Sequence, residues 1–127
     1  MKIVRLWGSV FVWMGVIFFF STRQRIVVSN QDAVNFLFFK TLHVLEYALL
    51  YILTFRATKN PITSFFIVIL YASSDEIHQL FVVTREGTVR DVIIDSLGAC
   101  LAWISIKKLL PKSPKKLRAW VKTWLAI

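Results

Sequence analysis

Four stretches of this chain are too apolar to be left in water, and a chain of 127 residues has too little interior to hide them all. The first runs from Leu6 to Phe20 without a charge, the second from Thr41 to Phe55, the third from Pro61 to about Val83, and the fourth from Val92 to about Ile106. With their flanks, each reaches the ~17–25 residues that cross a bilayer as a helix. The apolar fraction is 57%, above the ~45–50% of soluble domains. The alternative, a soluble bundle of very apolar helices, fits poorly with a first segment that has no polar face. The expected fold is therefore an all-α membrane protein with four transmembrane helices and short loops.

Residues 1–110 form the membrane domain in this reading, and residues 111–127 a basic, partly amphipathic cytoplasmic tail. In the tail, Leu117, Trp120, Val121, Trp124 and Leu125 recur at helical spacing, as in helices that lie on a membrane surface. The basic start and apolar core of the first segment also suit a signal peptide. Its end at Phe18-Phe19-Phe20-Ser21-Thr22-Arg23 lacks a small-x-small cleavage site and favours an uncleaved anchor. Asn60 before Pro61 reads as the cap and first turn of the third helix. No repeat of 20–50 residues is visible. Cys100 is the only cysteine, which excludes an intrachain disulfide.

The net charge is +9, and the bases flank apolar runs instead of forming one polar stripe. That pattern favours anionic lipid as partner and argues against nucleic acid. Lysine and arginine near span ends set orientation. With the N-terminus inside, eleven bases are cytoplasmic: Lys2, Arg5, Arg56, Lys59, Lys107, Lys108, Lys112, Lys115, Lys116, Arg118 and Lys122. Five are external: Arg23, Arg25, Lys40, Arg85 and Arg90. Both termini are then cytoplasmic, and the protein is multi-pass in the bacterial cytoplasmic membrane.

This orientation gathers the polar interruptions of the apolar segments at one membrane face. His43 and Glu46 lie near the outer start of span two. Asp75, Glu76, His78 and Gln79 lie near the outer end of span three, and Asp91 and Asp95 at the outer start of span four. At ~1.5 Å per residue, Asp75, Glu46 and Asp95 are submerged by ~6–10 Å, short of the midplane at ~15 Å. A carboxylate in the middle of a span costs ~2.5–3.5 kcal/mol on insertion scales, so such groups mark a function or find partners. Helical spacing supports their convergence. Lys40, His43 and Tyr47 follow i, i+3, i+7; Asp75, His78 and Gln79 follow i, i+3, i+4; Asp91, Asp95 and Gly98 follow i, i+4, i+7. Gly98 and Ala102 also make a small-xxx-small step, suited to close helix approach.

Three stretches carry a family resemblance: Lys40-Thr-Leu-His43-Val-Leu-Glu46-Tyr47, Tyr71-Ala-Ser-Ser-Asp75-Glu76-Ile-His78-Gln79-Leu-Phe81, and Arg85-Glu-Gly87-Thr-Val-Arg90-Asp91-Val-Ile-Ile-Asp95-Ser-Leu-Gly98-Ala. In combination they resemble the VanZ-like integral membrane protein family, within residues 40–102. The resemblance implies a small multi-span helical protein. Some members are linked to resistance against teicoplanin-type lipoglycopeptides, and the resemblance implies no defined reaction. Val82-Val83-Thr84 departs from the small or Pro-Gly turn expected before Arg85. Span one and the tail carry no family signature.

Each polar residue also has a plain structural reading. Thr88-x-x-Asp91 fits a capping box. Lys40 can snorkel at the interface. Tyr47, Tyr71 and Trp103 read as packing groups. Asp75 and Glu76 are adjacent carboxylates that repel, and a lattice of ion pairs through Lys40 and Arg85 would answer that. The leading functional expectation is binding of an anionic amphiphile at the outer leaflet, either a lipid-linked envelope precursor or a lipoglycopeptide. Lys40, Gln79, Arg85, Arg90, Asp91 and Asp95 would serve the headgroup, with the tail between spans. The alternative is an intramembrane hydrolase or transferase on a lipid-linked envelope precursor. Its catalytic candidates are His43, Glu46, Asp75, Glu76 and His78, with either histidine as base and Asp75 or Glu76 orienting it. A structural partner subunit is the third class. No HExxH-like spacing supports a metal, although His43, Glu46, Asp75, Glu76 and Asp95 are the alternative ligand set. No cofactor is expected, and oligomeric state is not legible.

Overall fold

The computed structural model describes residues 2–23, 30–83 and 87–125, and among them there are helices and turns but no strand. Helix α1 spans Lys2–Ser21, α2 Asp32–Thr58, α3 Pro61–Gln79 and α4 Val89–Ile104. A π-helical turn, Ser105–Leu109, and a 3-10 turn, Leu110–Lys112, lead to α5, Lys115–Leu125. Arg25 and Arg85, both assigned to the outer side from sequence, lie outside the described residues. Two helical stretches, Ile3–Ser21 and Asp32–Thr58, are long and apolar enough to cross a membrane.

The helix boundaries follow local chemistry. Asn60 caps α3, its Oδ1 accepting from the amides of Ile62 at 2.9 Å and Thr63 at 3.1 Å, with Pro61 in the first turn. Thr88 caps α4, its Oγ1 accepting from the Asp91 amide at 3.2 Å. Helix α2 begins nine residues before the expected Thr41, at Asp32. Lys40 had seemed to end the apolar run, but its charge is paired within the fold and does not interrupt the helix. Helix α3 stops at Gln79, short of the expected Val83. Leu80, Phe81 and Val82 close the chain instead with successive bonds to carbonyls three residues back. That tightening makes the turn that a Pro-Gly pair was expected to make.

Close backbone approach holds the bundle together. Helix α4 packs mainly on α2. At their crossing, a Cβ on Gly98 would lie 2.2 Å from the Val44 carbonyl oxygen, so only glycine permits this separation. The neighbouring Ala99 and Ala102 are buried too. Such small-residue contacts gain dispersion energy where lipid offers no hydrophobic drive between helices. Tyr47, Leu50 and Tyr51 of α2 and Val68 and Ala72 of α3 fill the interior, joined by Val10 and Ile17 of α1. Outside it, large apolar side chains face outward on every long helix: Phe11 and Phe20 on α1, Leu37 and Leu45 on α2, Phe66 and Leu70 on α3, Ile93 and Leu101 on α4. An apolar exterior around a core with buried acids is the arrangement expected of helices in lipid.

Candidate functional site

One face of α2 presents Lys40, His43 and Tyr47 in succession, and an acid from another helix meets each of them. Lys40 Nζ lies 2.7 Å from Asp91 Oδ2. His43 Nδ1 lies 3.3 Å from Asp95 Oδ1, close but without the alignment of a hydrogen bond. The Tyr47 hydroxyl makes a long 3.5 Å contact to Asp75 Oδ2. The result is a polar column descending from the start of α4 into the bundle. It grows more enclosed along the way: the Lys40 side chain keeps 16% exposure and His43 13%, whereas Asp95 is fully buried. Beyond the imidazole at 3.3 Å, neither oxygen of Asp95 has a hydrogen-bond donor.

Asp75 and Glu76 form the second part of the column. Consecutive helical positions point about 100° apart, so the two carboxylates diverge. The Gln79 amide then bridges them, donating to Asp75 Oδ2 at 3.1 Å and to Glu76 Oε1 at 3.3 Å. Asp75 also accepts from the Ser21 hydroxyl at 2.6 Å. Glu76 Oε2 accepts the backbone N–H of Thr88 at 3.0 Å. Gly87 makes that last bond possible. A Cβ there would lie 2.1 Å from the Glu76 carbonyl oxygen, so the loop rests directly on α3. Both carboxylates are buried yet supplied with donors, as buried polar groups must be.

Half of the expected capping box forms. Thr88 receives the Asp91 amide, but the Asp91 carboxylate turns to Lys40, and Glu76 takes the Thr88 N–H in its place. Arg90 stands at the exposed mouth of the column. Its side chain is 66% exposed, with the guanidinium 5.4 Å above the Phe36 ring and Nε 3.5 Å from Asp91. Lys40 approaches the same ring at 5.7 Å. Phe36 thus forms an apolar floor between two cations.

Of the remaining sequence candidates, His78 turns toward α1, Glu46 lies one turn along α2 from His43, close enough for its charge to act on the imidazole, and Arg85 lies outside the described residues. His78 lies against the Phe18 ring of α1, centroids 4.3 Å apart, and its buried Nε2 has no hydrogen-bond partner. Glu46 is half-buried, and its carbonyl accepts from the Trp13 indole at 2.9 Å. Arg85 is not among the described residues. Tyr71 and Trp103 pack as expected: the Tyr71 hydroxyl donates to the Met14 carbonyl, and Trp103 meets Phe65. The alternative metal ligands do not converge. His43 and Asp95 are one pair and Asp75 and Glu76 another, and among the described residues no group of three or more His, Cys, Asp or Glu could hold a metal ion.

Sequence reasoning missed Ser21 and the hydroxyl of Tyr47, which had been read as packing. A signal for Ser21 was present. It is the polar residue that follows the charge-free run from Leu6 to Phe20, on the side to which the sequence-based orientation assigns Asp75. The Thr88 N–H carried no signal, because every non-proline residue has one.

Among known proteins, no curated protein and no solved structure matches this chain. A family model, described as VanZ/LLP1, matches residues 6–110. The match takes in α1 from Leu6 onward, α2 to α4 and every residue of the polar column, and the chain belongs to the VanZ/LLP1 family.

Proposed function

We propose that this chain is a four-span protein of the bacterial cytoplasmic membrane, with both termini cytoplasmic, whose polar column receives the anionic headgroup of an amphiphile from the outer leaflet. The observation that carries the reading is the mouth of the column. There an exposed Arg90 and a part-exposed Lys40 flank Phe36 above a buried run of polar groups. Cations beside an aromatic ring suit a phosphate or carboxylate joined to an apolar body. The outward-facing aliphatic side chains of the helices suit the tail of such a molecule.

The spans are supported by length as well as composition. At ~1.5 Å per residue, the 19 residues of α3 reach ~28 Å, and α4 with its π turn reaches about the same. Both compare with a hydrocarbon core of ~30 Å. The distribution of lysine and arginine supports the orientation. Ligands of the right chemistry are a lipid-linked envelope precursor and a lipoglycopeptide, the latter in keeping with the teicoplanin resistance associated with the family.

The test is lipid mass spectrometry on purified protein, with Lys40→Ala, Arg85→Ala and Arg90→Ala beside the unaltered chain. Retention of an anionic amphiphile should fall in the three variants. Unchanged retention in all of them would sink the reading.

The His43–Asp95 pair favours a second reading, an intramembrane hydrolase or transferase acting on a lipid-linked envelope precursor. A buried carboxylate beside Nδ1 can orient an imidazole for general base work, leaving Nε2 to accept the proton. In this arrangement Asp95 orients His43, the part first given to Asp75 or Glu76. Envelope-lipid profiling of cells carrying Asp95→Asn or His43→Gln decides the matter. Accumulation of one precursor with normal protein abundance favours catalysis, and loss of abundance favours a purely structural lattice.

A further inference from the structure

We propose that α5, with the turn before it, is a built-in recognition surface for anionic phospholipid on the membrane face opposite the polar column. The inference rests on the membrane-spanning reading but is independent of any ligand at the column.

Helix α5 is docked by its C-terminal end. The Nε of Arg56, in the last turn of α2, donates to the Trp124 carbonyl at 2.8 Å, and its guanidinium lies 4.2 Å above the Trp124 ring. Lys59 Nζ donates to the Leu125 carbonyl. Two cations thus meet the negative end of the α5 dipole and its unpaired carbonyls. Lys59 itself caps α2 in the left-handed conformation, with φ at 59°. At the other end, Arg118 Nη1 donates to the Pro111 carbonyl at 2.7 Å and ties α5 to the 3-10 turn. The helix therefore bridges from the end of α4 to the end of α2, across the base of the bundle.

The apolar face of α5 is divided by this docking. Leu125 is buried, and Val121 and Trp124 pack against the core. Leu117 and Trp120 remain 49% and 66% exposed. Between Ser105 and Leu125 there are seven lysines and arginines and no acid: Lys107, Lys108, Lys112, Lys115, Lys116, Arg118 and Lys122. Lys115, Lys116 and Lys122 are exposed on α5 itself. Arg56 and Lys59 already serve the docking, so the exposed lysines are surplus to the fold. A basic helix fixed at the end of a span, with one Leu and one Trp left to enter the acyl boundary, fits a negatively charged leaflet. Lysines beside an exposed Leu117–Trp120 edge match the two layers of such a leaflet, an anionic surface over an apolar interior.

The test uses the full chain in nanodiscs of phosphatidylcholine carrying a minority of spin-labelled phosphatidylglycerol or spin-labelled phosphatidylcholine. Immobilised phosphatidylglycerol should exceed immobilised phosphatidylcholine. The excess should fall by about half or more in Lys115→Gln/Lys116→Gln/Lys122→Gln, and persist when the same three become Arg. Trp120 fluorescence, isolated by difference from Trp120→Phe, should be quenched by brominated phosphatidylglycerol. Equal immobilisation of the two lipids overturns the proposal. So does an excess that survives the Gln triple variant but vanishes in Arg90→Ala, which would assign the selectivity to the column. Retention of a soluble acidic peptide without lipid selectivity also overturns it, and would make the partner a protein.

Discussion

The Ser21 hydroxyl donates to Asp75 Oδ1 at 2.6 Å, joining the end of α1 to the buried acid of α3. A helix with no charge between Leu6 and Phe20 thereby reaches the polar column through its last residue. The same hydroxyl oxygen lies 2.8 Å from the Ile17 carbonyl, so its one proton is shared between the two acceptors and its rotamer is held where the acid needs it.

Ser21→Ala should lower stability by about 1–2 kcal/mol, because Asp75 loses a donor while remaining buried. Reversible unfolding in mixed detergent micelles measures the change. Equal stability of the variant and the unaltered protein would show that the bond holds nothing in place.

Gly98→Ala and Gly15→Ala should differ in sign. The first places a methyl against the Val44 carbonyl and must part α2 from α4, at ~1–3 kcal/mol. The second meets nothing within 4 Å and gains helix propensity, about 0.5–1 kcal/mol in favour of the variant. Thermal midpoints of the two proteins in one detergent are the comparison, and a Gly98→Ala midpoint at or above the Gly15→Ala midpoint contradicts the close crossing.

Lys40→Ala and Asp91→Asn should each destabilise by roughly 3 kcal/mol, since each leaves a largely buried group without its partner. The double variant should cost less than the sum of the two, by ~1–3 kcal/mol. Simple additivity in this double-mutant cycle would mean that the 2.7 Å pair contributes no coupling. The Arg90–Asp91 contact is a different case. That pair is long, at 3.5 Å, joins adjacent residues and is exposed on the Arg90 side, so it should contribute less than ~1 kcal/mol.

Gly87→Ala should lift the loop from α3 and release the Thr88 amide from Glu76. Hydrogen exchange at the Thr88 amide should then accelerate by tenfold or more, the effect of losing ~1.4 kcal/mol of protection. Unchanged exchange would mean that the loop has another support.

Much of this was legible from residue order. The spacing of Lys40, His43 and Tyr47 put them on one face, and that face does meet Asp91, Asp95 and Asp75 in turn. The small-xxx-small step at Gly98 marked the close crossing. The Asn60–Pro61 start of α3 was readable because a cap acts over three residues. Boundaries set by distant partners were not readable. Lys40 looked like the end of an apolar run, but it lies inside α2, which begins at Asp32, and its charge meets Asp91 of another helix. His78 shares a helical period with Asp75, yet Phe18 of α1 takes it.

By itself, then, the order of residues determined the helical content, the apolar exterior, the faces on which polar groups lie and the family to which the chain belongs. These follow from periodicity and composition, which act along the chain. The tertiary structure decided which group meets which: Asp95 with His43, Gln79 between two carboxylates, Ser21 on Asp75, Arg56 and Lys59 on the end of α5. Those pairings depend on rotations and separations between helices, which backbone contacts at Gly98 and Gly87 set to within an ångström and no local rule encodes.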